Sequence, residues 1–402
     1  MFADRVRCQA LDALPPGSAA RVAGRIVAQS EQGVLLRDDS GIARLAVAAP
    51  LALNALALAR GVWDGHTLLV ASFEILQRAH DETRELTELA RDDNAKQRRL
   101  VARAQLLRGV RTFFDQRGFL EVETPLVVPS PGLDVHLDAV RVVTPAGERY
   151  LITSPEYQMK RLLAGGLERI YQLAKCFRND EVGQRHQPEF TMLEWYRAYA
   201  GVEEVMADTE QLVAAVATAI SGEPVLHTAQ GPVDVAPPWP RLTVREAFAR
   251  FAQVDVFVLL AEEHGEDTFY RLLVERVEPA LSELGALFLC EYPASMASLA
   301  RKKPDDPRVA ERFEAYVGGV ELCNGFGELT DPVEQRARLL VDQAERARQG
   351  KPVYPIDERF LAALEQGVPP SGGNALGLDR LVMLALGAAH IEDVTAVPAS
   401  RL

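Results

Sequence analysis

Three segments of this chain gather the residue types that polyphosphate and ammonium chemistry requires. The first contains Arg178-Asn179-Asp180-Glu181, then Gln187, Phe190, Glu194 and Tyr196. Two strands are expected to flank a charged loop here. A two-residue strand repeat puts Phe190, Met192, Glu194 and Tyr196 on one face and Thr191, Leu193, Trp195 and Arg197 on the other. The first face offers an aromatic platform, a carboxylate and a phenol. With Arg178 at the loop start, it could stack a purine, grip a phosphate and bind an ammonium group.

The second segment carries Glu314 and Glu321 on either side of Gly318-Gly319, a two-residue hairpin signal. With the glycines at the turn, Val317 faces Val320 and Tyr316 faces Glu321, so Glu314 lies diagonally from Glu321 at roughly 7 to 8 Å. Two carboxylates so placed suit Mg²⁺, which takes one or two carboxylates plus phosphate oxygens. The third segment, Ser371-Gly-Gly-Asn-Ala375-Leu-Gly377-Leu-Asp379-Arg380, reads as a glycine-rich strand entering an apolar helix. Gly377 lets a flat ring approach the backbone. Arg380 can reach a phosphate from the helix start, where free N–H groups favour anions. Taken singly, the segments also fit plainer roles: a solvated loop, two solvent-facing glutamates, a surface Asp379–Arg380 pair. His186 fits a loop-orienting or structural role as well as a phosphate contact.

Positioning these residues requires a large domain, and 402 residues suggest two. Short, β-branched runs such as Ala20-Arg-Val-Ala-Gly-Arg-Ile-Val and Gly33-Val-Leu-Leu-Arg predict a small N-terminal β-barrel. A charged, low-aromatic stretch near residues 80–97 reads as a linker. Beyond it, apolar residues at helical spacing (Val101, Ala104, Leu107, Val110, Phe113, Phe114) predict a helix over 100–117 ending at Gly118. Phe119 to Pro125 then reads as an edge strand closed by proline.

Composition sets outer bounds. With 48% hydrophobic and 25% charged residues the chain can bury a sizeable core. The net charge of -13 repels phosphate backbones, so a nucleic-acid contact would need a local basic patch. The barrel region has no lysine, and its aromatics are Phe2, Trp63 and Phe73, so it is read as structural or protein-docking, or as a weak RNA binder. Cys8, Cys176, Cys290 and Cys323 are too scattered for a zinc cluster and fit a reducing cytoplasm. No secretory or membrane-spanning segment is expected. P-loop, nucleophile-elbow and HExxH signatures are absent.

Jointly the three segments resemble the class II aminoacyl-tRNA synthetases, and within them the lysine-specific branch. Residues 100–125 are similar to that class's first motif, usually the dimer interface; 169–199 are similar to its second and 371–387 to its third. Ile152-Thr-Ser154-Pro155-Glu156-Tyr-Gln-Met-Lys-Arg-Leu and Asn324-Gly-Phe-Gly-Glu328-Leu-Thr-Asp look like the stretches with which lysine enzymes hold their amino acid. Glu194-Trp-Tyr196, Tyr292-Pro-Ala-Ser-Met-Ala-Ser-Leu-Ala and Ala375-Leu-Gly-Leu-Asp-Arg380 are closest to the elongation factor P lysine ligases, synthetase paralogues that attach (R)-β-lysine to a lysine of elongation factor P. Enzymes that charge tRNA usually carry glycine at the position of Ala375. Its methyl group would narrow the pocket near the amino group, a difference worth about 1 to 3 kcal/mol.

The resemblance implies an α+β fold: an antiparallel class II catalytic sheet flanked by helices over residues 83–402, behind an OB-like barrel over 1–82. It implies ATP and Mg²⁺ as cofactors, elongation factor P as acceptor, and a homodimer. Glu156 would hold the amino group nearer the carboxylate, and Tyr196 and Glu328 the distal ammonium, with Ser154, Pro155, Glu194, Asn324 and Ala375 around them. Arg178, Asn179 and Asp180 would meet ATP; Gln187, Phe190, Leu322, Gly377 and Arg380 would complete the nucleotide site; Glu314 and Glu321 would hold Mg²⁺. The family usually has Glu at Asp180, where Glu181 could compensate, and Asn at Gln187. The ligases commonly lack a full N-terminal domain, which keeps open a compact lysyl-tRNA synthetase that uses tRNA as acceptor. A catalytically silent paralogue is the third reading. The reaction expected is in-line attack of the amino-acid carboxylate on the α-phosphate, then of a lysine amine on the adenylate, with Arg178 and Arg380 carrying the phosphate charge.

Overall fold

The computed structural model describes residues 4–30, 33–47, 51–78, 95–145, 147–179 and 181–402. Two compact units are present, Met1–Arg98 and Arg99–Leu402. The boundary expected between residues 82 and 83 lies outside the described residues.

In the first unit, β1 (Ala19–Ser30), β2 (Gly33–Arg37), β3 (Ile42–Ala46), β4 (Leu56–Trp63) and β5 (Leu68–Gln77) close a barrel in the order β1-β2-β3-β5-β4. This is the OB-like arrangement the β-branched runs predict. Val22, Ile26, Val34, Leu36, Leu45, Ala57 and Leu68 fill its interior. Gly24 is required at one close approach, because a Cβ there would collide with the Arg37 carbonyl. Arg5 pairs with Asp38 at 3.0 Å, Arg7 with Asp39 at 2.6 Å, and Arg21 with Asp4. These three cations are therefore already matched, and Trp63 is buried, while Phe73 is exposed. Phe2 lies outside the described residues.

The second unit opens on α1 (Ala95–Asp115), which starts earlier than its periodicity predicts and stops before Gly118 at φ 73°. Val110, Phe113 and Phe114 are buried, whereas Val101 is exposed. β6 (Leu120–Glu121) follows, then a small sheet of β7 (Val127–Val128), β8 (Arg141–Thr144) and β9 (Gly147–Leu151), and the helix α2 (Glu156–Ala164). Next come β10 (Arg169–Phe177), β11 (Glu189–Ala198), α3 (Val202–Ser221), the hairpin β12 (Val225–Thr228) and β13 (Gly231–Asp234), and β14 (Arg241–Thr243). After short helical turns, β15 (Ala286–Cys290), β16 (Arg312–Val317) and β17 (Val320–Gly327) lead to α4 (Pro332–Arg348) and α5 (Glu358–Gln366). β18 (Ser371–Gly377) runs directly into α6 (Leu378–Ala385).

Eight strands form one sheet in the order β14-β15-β16-β17-β18-β11-β10-β6. Only the outermost pairs, β6 with β10 and β14 with β15, are parallel. One sheet face is the core: Leu193, Trp195, Phe313, Leu322, Cys323 and Leu376 pack with Val110 and Phe114 of α1, Leu212 and Val213 of α3, and Leu381 and Val382 of α6. Each such large side chain contributes roughly 1.5 to 3 kcal/mol on burial. Asp379 fastens this layer. It is buried, accepts from the Thr191 N–H at 2.7 Å and pairs with Arg103 of α1. The surface-pair reading of Asp379–Arg380 is thereby overturned for Asp379. No helix among the described residues is long and apolar enough to cross a membrane.

Candidate active site

The opposite sheet face is a polar floor, and strand register decides what stands on it. Residues directly opposite across neighbouring strands point the same way. Glu194 of β11 pairs with Ala375 of β18, Ala375 with Asn324 of β17, and Asn324 with Glu314 of β16. One row across four strands therefore carries four of the residues read from sequence. Two residues along β11, Tyr196 faces Gly373; two residues back, Met192 faces Gly377. The alternation expected for β11 holds: Leu193 and Trp195 lie in the core, while Met192 and Tyr196 pack in clusters of their own on the floor side.

The β16–β17 hairpin departs from the regular ladder expected. Val317 opposes Val320 and Tyr316 opposes Glu321 as the turn predicts, but the register then shifts, and Ala315 opposes Cys323. Leu322 is the extra residue of a β-bulge. Leu322 and Cys323 consequently both face the core, while Glu321 and Asn324 both face the floor. Glu314 thus stands opposite Asn324. Its Oε1 accepts from Arg312 at 2.8 Å and its Oε2 from the Tyr316 hydroxyl at 2.9 Å. Burial, then the nearby Glu321 charge, raises its pKa. A divalent cation would relieve that repulsion, so the pair fits Mg²⁺ with phosphate oxygens completing its shell. Among the described residues no three His, Cys, Asp or Glu side chains converge as a self-sufficient metal site. Leu322 offers a nucleotide only its backbone.

At the β18–α6 junction, Arg380 donates to the Glu321 carbonyl at 2.8 Å, pairs with its carboxylate at 3.4 Å and contacts His186 Nε2 at 2.5 Å. Burial and then the Arg380 charge lower the His186 pKa, so this ring is neutral at pH 7 and orients the arginine. Arg178 pairs with Glu181 at 3.2 Å and lies over the Phe190 ring at 5.0 Å from its centroid. Its Nε is buried without a partner. Asn179 is anchored by its N–H to the Asp138 carbonyl at 2.8 Å. Asp180 lies outside the described residues. Gln187 is turned elsewhere than expected: its Oε1 accepts from the Ala399 N–H at 3.0 Å, tying the loop to the C-terminal segment. The nearest atoms to a Cβ at Gly377 would be those of the flexible Arg380 side chain, at 3.5 Å and beyond, so no backbone crowds this glycine at closest approach.

At the other end, α2 begins on Ser154-Pro155-Glu156. Glu194, fully buried, accepts from Ser154 Oγ at 2.6 Å and from the Tyr196 hydroxyl at 2.7 Å. Burial and the Glu156 charge push its carboxyl up to about 8. Glu328 is also buried and is pushed up to about 7 by burial, against the pull of Lys160. Sequence reasoning quoted Lys160 without giving it a role. Its ammonium group, 1% exposed, sits 2.6 Å from Glu156 Oε1 and 2.5 Å from Glu328 Oε2. Glu156 and Lys160 are four apart on one helix, the spacing that could have revealed the pair. Arg312, which braces Glu314 and lies over the Tyr292 ring, was missed as well.

A sheet floor carries one arginine from a strand-loop-strand unit and another from a strand-helix unit, between a carboxylate pair and a cluster of acids, an arrangement with the parts that joining a carboxylate to a nucleotide phosphate requires. Residues 82–401 match the family of class II tRNA synthetases (D, K and N). The chain belongs to that family. It is therefore an ATP-dependent ligase of the class II type, with the α+β catalytic domain its motifs imply. Among curated proteins, the elongation factor P–(R)-β-lysine ligase of Proteus mirabilis is 43% identical over 326 residues. Those of Edwardsiella ictaluri and Vibrio cholerae are 44% and 43% identical. Each match covers 75% of this chain and 95% of the relative, so about a quarter of this chain has no counterpart in them.

Proposed function

We propose that this enzyme activates (R)-β-lysine with ATP and transfers it to a lysine side chain of elongation factor P. The single observation that carries the amino-acid end of this reading is a cluster of three carboxylates, Glu194 and Glu328 buried and Glu156 half-buried beside them, with Glu194 opposite Ala375 on the floor. Carboxylates drawn this far out of water are stable only where cations meet them, and a diamino acid brings two. The names carried by relatives at 42–44% identity support the acceptor.

In the mechanism, Glu194, Glu328 and Glu156 hold the two ammonium groups so that the carboxylate attacks the α-phosphate, breaking its bond to the β-phosphate and releasing pyrophosphate. Phe190 and the uncrowded backbone at Gly377 hold the adenine. Arg178 and Arg380, oriented by Glu181 and by His186 with Glu321, stabilise the charge that develops on the phosphates. Mg²⁺, held by Glu314 and Glu321, would add neutralisation of the phosphate charge. The acyl adenylate is then attacked by the neutral ε-amine of the acceptor lysine, forming an amide and releasing AMP. Assembly as a homodimer through residues 100–125 fits the exposed Val101 and Leu120.

The N-terminal barrel, outside the residues that match the family, is what favours the second reading, a compact lysyl-tRNA synthetase. One experiment tests both. The enzyme is incubated with ATP and α-lysine or (R)-β-lysine, with unmodified elongation factor P and tRNA as rival acceptors. Modified elongation factor P with uncharged tRNA is expected; charged tRNA with unchanged elongation factor P would overturn the proposal. Retention of Arg178, Arg380, Glu314 and Glu321 counts against a silent paralogue.

A further inference from the structure

The amino-acid pocket contains more negative charge than its substrate can neutralise. Glu156 of α2, Glu194 of β11 and Glu328 just beyond β17 converge there, while a diamino acid supplies two ammonium groups. Lys160 is the one fully buried cation among them, a single turn along α2 from Glu156 and within reach of Glu328 as well. Buried ions persist when each is paired, and an unmatched one takes up a proton instead.

We propose that Lys160 is a positioning residue that supplies the third cation of the loaded pocket, bridging Glu156 and Glu328 so that three carboxylates meet three ammonium groups. This rests on the diamino-acid reading above. With the pocket empty, three acids share one lysine, and the excess charge is met by protons. Burial lowers the Lys160 pKa, but Glu156 and Glu328 outweigh it and hold the ammonium form. Glu194 and Glu328, pushed up to about 8 and about 7, are the proton holders. The other groups acting on the cluster are the Tyr196 and Ser154 hydroxyls and the Arg301 charge, which lowers Glu328. Substrate entry therefore expels protons, and Lys160 stays in place.

The test is a double-mutant cycle on the full chain, read by amino-acid-dependent ATP–pyrophosphate exchange. Lys160→Met is expected to raise the amino-acid KM at least tenfold, with the ATP KM within twofold of the unsubstituted enzyme. Glu194→Gln is expected to weaken amino-acid binding alone. Combined with Lys160→Met it restores two carboxylates against two ammonium groups, so the double variant should lose at least tenfold less than the product of the single losses. Losses that simply multiply, or an unchanged amino-acid KM in Lys160→Met, would overturn this inference while leaving the diamino-acid reading intact. No exchange by the unsubstituted enzyme with any diamino acid would sink both. Should Lys160→Met not fold, calorimetric titration of the unsubstituted enzyme with (R)-β-lysine at pH 7.5, in buffers of different ionisation enthalpy, decides instead. Release of about one proton per site is expected from the shared protonation of Glu194 and Glu328, and zero release overturns the inference.

Discussion

Replacing Glu194 with glutamine should make the protein more stable as it makes the enzyme less active, and the stabilisation should grow with pH. Glu194 is 1% exposed, and burial with the Glu156 charge moves its carboxyl from an ordinary 4.5 to about 8. A raised carboxyl pKa means the folded state keeps a proton that the unfolded chain has released. Its stability is whole below pH 4.5 and is lost progressively as pH rises to 8. At 1.36 kcal/mol per unit, the loss tends toward ~5 kcal/mol. Because Glu156 and Glu328 share the repulsion, we assign roughly 2 kcal/mol to Glu194 between pH 5.5 and 8. Glutamine cannot ionise, yet it can still accept from one of the Ser154 and Tyr196 hydroxyls and donate to the other. Urea unfolding of both proteins at pH 5.5, 7 and 8 should show an advantage for Glu194→Gln that widens by about 2 kcal/mol across the series. Exchange activity should fall about a hundredfold at subsaturating amino acid, as for the loss of a buried charge-assisted contact. A pH-independent stability difference, or a variant less stable at pH 8, would refute the assignment of a strained buried acid.

Ala375→Gly removes the methyl group between Glu194 and Asn324 and should shift kcat/KM toward α-lysine over (R)-β-lysine by about 10- to 100-fold, measured by exchange with each amino acid. Arg380→Ala should lower kcat for adenylate formation about 10²- to 10³-fold without changing the amino-acid Kd. Gly373→Ala places a Cβ against the Tyr196 ring and Glu328 Oε1, so it should abolish amino-acid binding and lower Tm, readable by calorimetry.

The local geometry of the candidate site was more legible in the sequence than the long-range contacts that assemble it. Alternation along residues 189–198 and the paired glycines of the β16–β17 turn were legible because strand periodicity and φ > 0 turns are local. The bulge at Leu322 was not, since an extra residue between two hydrophobic positions leaves no local mark and is settled by which side chains the core accepts. The tie of Gln187 to the C-terminal segment was illegible for a similar reason: its partner Ala399 lies 212 residues away. Lys160 hid within a helix whose apolar and charged residues both turn inward, where burial, invisible in one sequence, changes the meaning of a lysine.

The bulge has a further consequence through parity. Glu321, beside Arg380, and Glu328, beside Lys160, are an odd number of positions apart, and in a regular strand an odd step puts two side chains on opposite sides. The single inserted leucine converts that step to an even one. One continuous stretch of backbone thereby brings Glu321, Asn324 and Glu328 to the same face. Paired as an unbroken ladder with Leu322 kept, Asn324 and Glu328 would turn away together; excising Leu322 would leave a regular strand with both still on the floor.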